Sequence, residues 1–413
     1  MLIKNCKYLV TQNTNREVLE NVDLLVENGA IKEIGKIEGT GYDASDKIVL
    51  PGFVNCHNHA AMILLRGIAD DLPLMQWLEN KIWVLERKFT PNIVYAGTLL
   101  ACAEMLKTGT TTFLDAYFHM DEAERAVNDL GIRAVLGSFY LDFPTPETDK
   151  PFERSIEFVK KGNTDKITRI LAAHAPYTCS PELLAKTRDV SQDLGCKVTM
   201  HVSETMNEVE KIFQQTSQTP MEYLHSLGLV NQNFIASHCT YLTPEECKLM
   251  QNVGVSHNPV SNLKFGYGTM PLRELLENNA VVGLGTDSAA SNNSLDMFTQ
   301  MKTTALLQKY REKDASECPA QTVLDMATIQ GAKVLGLDER IGSIEVGKQA
   351  DLAFLDANAL NLQPLSKERL ISHLIYSANA GNVTDTMVAG EFIKLDEEHI
   401  QESVKEAVYE LGV

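Results

Sequence analysis

The sequence predicts an α/β protein: a (β/α)8 TIM barrel with a small β-sandwich domain formed from its N- and C-terminal segments. Three observations predict it. Eight short apolar runs alternate with helical stretches between residues 52 and 287. Strand-like segments flank this region at both ends of the chain. Six of the eight runs end in a metal-capable residue, as expected where strand C-termini converge on one barrel mouth. The 413 residues would divide into two or three consecutive domains at about 150 residues each. The strand pattern predicts a different division. Residues 1–50 plus 345–413 form the small β domain, and 51–344 form the barrel.

The elements follow in chain order. LIKNCKYLVT, VDLLVENGAIKEIG and KIVLPG alternate or run apolar, and Asn28-Gly29 marks a turn. The barrel strands are GFVNCH, TTTFLDAY, IRAVLGSFY, ITRILAAH, KVTMHV, FIASHC, GVSHNP and VVGLGTD. Helical patterns such as NIVYAGTLLACAEMLKTG and PELLAKTRDVSQDLG lie between them. DLAFLD and DTMVAGEFIKL return to strand character, with a tight turn at Ala389-Gly390. A helix over about residues 400–411 closes the chain.

Composition narrows the function classes. Lys plus Arg number 37 against 55 Asp plus Glu, a net charge of −18. Such a chain is poorly suited to tracking phosphates or anionic membranes, so neither nucleic acid nor membrane is expected as a partner. No apolar run is long enough for a membrane span. The N-terminus lacks the pattern of a secretory signal. The eight cysteines show no CxxC spacing and read as buried thiols in a reducing cytoplasm.

The chemistry sits at the strand ends. His57 and His59 are two residues apart on a strand, so both imidazoles face one side. An isolated HxH is a weak signal, and a lone His after a strand is more often a structural hydrogen-bonder. Six such strand ends together are hard to explain that way. His201 supplies a third nitrogen and Asp287 an oxygen. Three His and one carboxylate suit one divalent ion, zinc first, with iron fitting the same ligands. The fourth strand end carries His174 rather than a lysine that could bridge two metals. An ion there lowers the pKa of a bound water toward about 7. Glu204, three residues beyond His201, is placed to carry protons without binding the metal. His238 could hydrogen-bond either the attacking water or the substrate ring, and Asp287 could accept a proton from that water. His257 reads equally as a ligand-orienting residue or a structural one. His119, His225, His373 and His399 carry no such signal.

These residues lie in PGFVNCHNHAAMILLRGIADDLPLMQWL, HVSET, ASHCTYL, SHNPVSNLKFGYG and GLGTDSAASNNSLDMF. Together the segments resemble the amidohydrolase superfamily, in particular its branch of 5-methylthioadenosine/S-adenosylhomocysteine deaminases. The likeness runs from the N-terminal strands to TMVAGEFI. It implies that His57, His59, His201 and Asp287 bind the metal and that Glu204 carries protons to a purine ring. It implies that His238 lies beside the hydrolytic water. It implies that Glu86 holds the ribose hydroxyls and that His174 binds substrate. A carboxylate suits a ribose diol because it accepts two hydrogen bonds.

There are departures from the family pattern. The usual proline two residues before the acidic residue is absent from Trp83-Val84-Leu85-Glu86. Ser138 stands where some members carry an arginine for the amino-acid carboxylate of S-adenosylhomocysteine, and a second family arginine corresponds to Arg154. Losing such a cation removes a charge-assisted bond worth about 1.5–3 kcal/mol. The resemblance thus implies hydrolytic deamination at C6 of an adenosine-type nucleoside by a metal-bound hydroxide. The implied substrates are 5′-methylthioadenosine and adenosine, with S-adenosylhomocysteine disfavoured. Other readings remain. One is a deaminase or chlorohydrolase of guanine, a pterin or an s-triazine on the same scaffold. Another is a non-catalytic binding protein, which the intact ligand set disfavours. The partner is a small molecule, and a homo-oligomer is compatible with the family.

Overall fold

A computed structural model describes residues 1–72 and 74–413, apart from the side chains of residues 74 and 75. The first strands are β1 (Leu2–Val10), β2 (Val18–Glu27), β3 (Ala30–Gly35), β4 (Tyr42–Asp43) and β5 (Lys47–Pro51). Asn28 and Gly29 both have positive φ, 51° and 79°, the geometry of a hairpin turn whose twist matches its strands. The predicted Asn-Gly turn therefore joins β2 to β3.

The barrel comprises β6 (Phe53–Asn58), β7 (Thr110–Tyr117), β8 (Arg133–Tyr140), β9 (Ile167–Ala173), β10 (Val198–Val202), β11 (Phe234–His238), β12 (Gly254–His257) and β13 (Val281–Leu284). These eight strands pair in sequence order, each parallel to the next. Nearly every residue in them is buried. Both faces are covered, by helices outside and by other strands' side chains inside, so the strands read as continuous apolar runs. The seam between β6 and β13 is stitched at the mouth. Asn55 Oδ1 accepts the Thr286 N–H at 3.0 Å, and its amide donates to Thr286 Oγ1 at 2.7 Å. The Asp287 N–H donates to His57 O at 2.9 Å, bringing the first and last strand ends together.

The chain returns through β14 (Leu352–Asp356), β15 (Val383–Val388) and β16 (Glu391–Phe392). These join the head strands in one continuous sheet of order β16-β15-β14-β5-β1-β2-β3, with β4 on β1. The sheet curls onto a core of its own, where Tyr42, Phe354 and Phe392 meet ring to ring. The helix Glu397–Leu411 follows, with an Asp396 cap and a left-handed Gly412 at its end. It packs on the helix Pro91–Lys107 through Ile400 and Leu99. Among the described residues no helix is long and apolar enough to cross a membrane.

Candidate active site

The ends of β6, β10 and β11 and the turn after β13 place four histidines and one carboxylate at the barrel mouth. His59 Nε2 lies 3.2 Å from His201 Nε2. Asp287 Oδ1 lies 3.7 Å from His57 Nε2 and 3.5 Å from His59 Nε2. The imidazoles are aimed by bonds at the opposite ring nitrogen. His57 Nδ1 bonds Ser237 Oγ at 2.9 Å and His59 Nδ1 bonds Ala116 O at 2.8 Å. His201 Nδ1 bonds His174 O at 2.7 Å, and His238 Nδ1 bonds Asn262 Oδ1 at 2.9 Å. The acceptor-only oxygens of Ala116, His174 and Asn262 require the proton on Nδ1 of His59, His201 and His238, and all four bonds orient the rings with Nε2 inward.

The donor set fits a metal ion. His57 Nε2 is buried and lacks a hydrogen-bond partner, which is costly unless something binds it. The facing nitrogens of His59 and His201 repel each other unless a proton or cation lies between them. Protons are disfavoured there. Burial first, then the neighbouring imidazoles, hold His57 and His201 well below the ordinary 6.5. Burial also lowers His59, against the pull of Asp287 and the Ala116 carbonyl. Neutral imidazoles are the form that ligates. His57, His59 and Asp287 form one group able to hold an ion, and His57, His201 and His238 form another.

Asp287 is held in place for this geometry. Its backbone is left-handed, with φ 60°, as is that of His238 with φ 74°. Few non-glycine residues adopt this conformation, and it persists where surrounding contacts enforce it. Ser261 Oγ and Ser291 Oγ donate to Asp287 Oδ2 at 2.5 and 2.9 Å, and the Ser288 N–H donates to Oδ1 at 2.7 Å.

Above this cluster opens a cavity of about 460 Å³, within the usual range for small-molecule sites. His59, His201, His238, Asp287, Glu204, His174 and Glu86 all line it. Burial raises Glu204 above 4.5, opposed by His238 and reinforced by Asp287. Burial works against a charged His238, but the carboxylates of Glu204 and Asp287 outweigh it and raise its pKa. Burial lowers His174 to about 4, so it is a neutral partner, with Nδ1 bonded to Thr178 Oγ1 at 2.9 Å. Glu86, in a short helical turn that also lines the cavity, accepts the Tyr117 hydroxyl at 2.6 Å.

Three sequence-selected residues stand apart from the cavity. Arg154 is not among its lining residues. Its guanidinium is engaged by Glu147 Oε1 at 2.5 Å and Asp121 Oδ2 at 2.9 Å. Substrate contact by Arg154 therefore has no support in this geometry. Ser138 is buried within β8 and also does not line the cavity. The His257 imidazole makes no hydrogen bond to a site residue, whereas its backbone carbonyl accepts Gly285 N at 2.9 Å. Ser237, Asn262, Ser261 and Ser291 were not assigned roles from sequence. The last three lie inside the SHNPVSN and DSAASN segments, where their hydroxyls and amide were the available signal.

Residues 48–393 match the amidohydrolase family. A protein of Thermodesulfovibrio yellowstonii named 5-methylthioadenosine/S-adenosylhomocysteine deaminase is 40% identical over 418 residues, covering 96% of this chain and 94% of its own. A 5′-deoxyadenosine deaminase of Methanococcus maripaludis is 40% identical over 412 residues, covering 94% of this chain and 96% of its own. The crystal structure of an adenosine deaminase from Xanthomonas campestris, with bound zinc, superposes with a TM-score of 0.95 at 38% identity. That match covers 99% of this chain and 98% of the other. On these matches, which span nearly all of its length, the chain belongs to the amidohydrolase family.

Proposed function

We propose that this protein is a metal-dependent aminohydrolase that replaces the C6 amine of an adenosine-type nucleoside with oxygen, releasing ammonia. One observation carries the reading. His59, His201, Asp287, Glu204 and Glu86 line a single cavity, and His57 shares an ion-holding group with His59 and Asp287. The names of the deaminase relatives support the same substrate class.

His57, His59, His201 and Asp287 would hold one divalent ion. Zinc is favoured by the nitrogen-rich donor set and by the zinc in the Xanthomonas enzyme. The ion supplies Lewis acidity that makes water a nucleophile near neutral pH. Glu204 takes one proton from the attacking water and gives it to N1 of the purine as oxygen adds to C6. The second water proton passes by way of Glu204 to the amine as the C–N bond breaks. The products are ammonia and a 6-oxo purine with hydrogen retained on N1. The elevated pKa of Glu204 suits a group that must both accept and release a proton. His238 orients the water, and His174 contacts the substrate ring. Glu86 accepts the ribose hydroxyls.

Leu141, Phe143, Pro144 and Pro146 give the cavity an apolar outer wall. That wall and the engaged Arg154 support a preference for the neutral tails of 5′-methylthioadenosine and adenosine over the zwitterionic tail of S-adenosylhomocysteine. The eight cysteines are free thiols, with only Cys196 not fully buried, which supports the cytoplasm as the compartment.

The test is ammonia release across adenosine, 5′-methylthioadenosine, S-adenosylhomocysteine, guanine and a pterin, with metal analysis of the same preparation. The two neutral-tailed nucleosides should give the highest kcat/KM. S-adenosylhomocysteine should be about ten- to a hundredfold poorer, as one missing charge-assisted bond implies. A free base or S-adenosylhomocysteine as clearly the best substrate refutes the assignment or the preference, respectively. Glu204→Gln should lose nearly all turnover while retaining metal, and unchanged turnover would refute the shuttle.

A further inference from the structure

Three helices in the second half of the barrel begin with threonine and carry glutamate three residues later, the capping-box pattern. In two of them the glutamate returns to the threonine's own N–H. Glu222 Oε2 accepts Thr219 N at 3.0 Å, and Glu246 Oε2 accepts Thr243 N at 2.8 Å. The third helix, Met206–Thr216, departs from this. Thr205 still caps it, with Oγ1 accepting Glu208 N at 3.1 Å. The Glu208 carboxylate, however, reaches past Thr205. Its Oε1 accepts the Ser203 N–H at 2.8 Å and its Oε2 the Glu204 N–H at 3.0 Å.

Ordinary helix capping does not need that reach. Glu208 is only 4% exposed, so its carboxylate sits in a costly environment. Ser203 has φ 51°, a left-handed turn that redirects the chain directly after the His201 strand. Its carbonyl accepts Tyr241 N at 3.0 Å. The peptide units on both sides of Ser203, and the N–H of Glu204, are thus tied down, leaving the Glu204 side chain to aim into the cavity.

We propose that Glu208 is a positioning residue for the reaction: by clamping the two consecutive amides of Ser203 and Glu204, it sets the attitude of the Glu204 carboxyl toward the substrate ring. This rests on the proton-shuttle reading of Glu204. Glutamine at position 208 keeps the size but has one acceptor oxygen. The other position becomes an NH2 facing a backbone N–H, so one bond is replaced by donor–donor repulsion. Misplacement by about 1 Å can cost a hundredfold in rate.

Glu246 provides a matched control. It is fully buried and also clasps two amides, Thr243 N at 2.8 Å and Met221 N at 3.2 Å. Neither Thr243 nor Met221 lines the cavity, whereas Glu204, held by Glu208, does. Glu208→Gln and Glu246→Gln are measured with bound metal, melting temperature, kcat and KM for 5′-methylthioadenosine. Glu208→Gln is expected to lose kcat about a hundredfold, with KM within about threefold and metal content unchanged, the split that marks a transition-state contribution. Glu246→Gln is expected to lower the melting temperature and leave kcat unchanged. Turnover of Glu208→Gln within about threefold of wild type, or an equal kcat loss in Glu246→Gln, overturns the proposal. If Glu208→Gln does not fold, Glu208→Asp is judged by the same constants, since its shorter arm cannot span both amides. Glu204→Gln is run alongside. If that variant keeps turnover, the shuttle reading itself fails. If it is inactive while Glu208→Gln is not, the positioning role alone fails.

Discussion

Glu86 is acted on by two opposing effects. Burial raises its carboxyl and the hydrogen bond from Tyr117 lowers it, and burial prevails, lifting it from 4.5 to about 7. Below about 7 the folded protein therefore holds a neutral acid, which has lost one of the two acceptor sites a ribose diol uses. KM for a nucleoside should rise as pH falls from 8 to 6, and Glu86→Gln should flatten that dependence at a uniformly higher KM. A wild-type KM constant across this range would refute ribose binding by an ionised Glu86. The stability sign is opposite to that of a salt-bridged carboxylate. Between 4.5 and 7 the native state binds a proton that the unfolded chain has released, so this group's contribution falls as pH rises through that window. The metal-ligand candidates were legible because a two-residue spacing and the strand ends specify where imidazoles converge. Their Nδ1 partners were not. Ser237 serves His57 from a strand 180 positions away in sequence, and only barrel closure brings the two together. Arg154 illustrates the converse. Correspondence suggested a substrate contact, but two local carboxylates hold its guanidinium.

At the scale of elements, barrel strands were easy to read because burial on both faces makes them continuous apolar runs. The segment from Ala60 to Glu86 was not. It contains a 3-10 turn, Ala60–Leu65, in which every residue is buried. An unbroken apolar run following a strand offers no period to distinguish the two. What sets this turn is the helix behind it. Gly97, inside the helix Pro91–Lys107, lies against the backbone of Ala61. A Cβ there would stand 2.6 Å from Ala61 O and 2.9 Å from Ala61 Cα. Ala61 is two residues past His59, so this close approach also bears on the metal cluster. Gly97→Ala gains about 1 kcal/mol of helix propensity but forces apart two backbones, and overpacking of this kind costs about 1–3 kcal/mol. Because backbone rather than a flexible side chain is in the way, the clash should win. The variant should melt below wild type and bind metal less tightly. A melting temperature at or above wild type would show that the turn can yield.

At the scale of the molecule, the terminal sheet and the barrel base meet at one buried charge pair. Arg133, at the start of β8, bonds Asp351 through Nε–Oδ2 at 2.7 Å and Nη2–Oδ1 at 3.1 Å. Both side chains are almost wholly buried, at 3% and 2% exposure. The remaining polar capacity is also used. Arg133 Nη1 donates to Asp165 O at 2.6 Å, and Asp351 Oδ1 accepts the Ala389 N–H at 2.7 Å. Ala389 opens the tight turn between β15 and β16, and Asp351 directly precedes β14, so the pair joins barrel to sheet. Nothing in the sequence pattern points to it, since the partners are 218 positions apart. Removing one partner leaves an uncompensated buried charge, a loss of about 3–5 kcal/mol. Arg133→Met should therefore lower the melting temperature sharply. The double variant Arg133→Met/Asp351→Leu should recover part of that loss, because apolar replacement of both partners of a buried pair is often tolerated. Recovery should stop short of wild type, since Asp165 O and the Ala389 N–H are left without these partners. A double variant no more stable than Arg133→Met would mean that the stranded backbone groups, rather than the unpaired aspartate, dominate the cost. Arg133→Met melting with wild type would mean that the pair contributes little to holding sheet and barrel together.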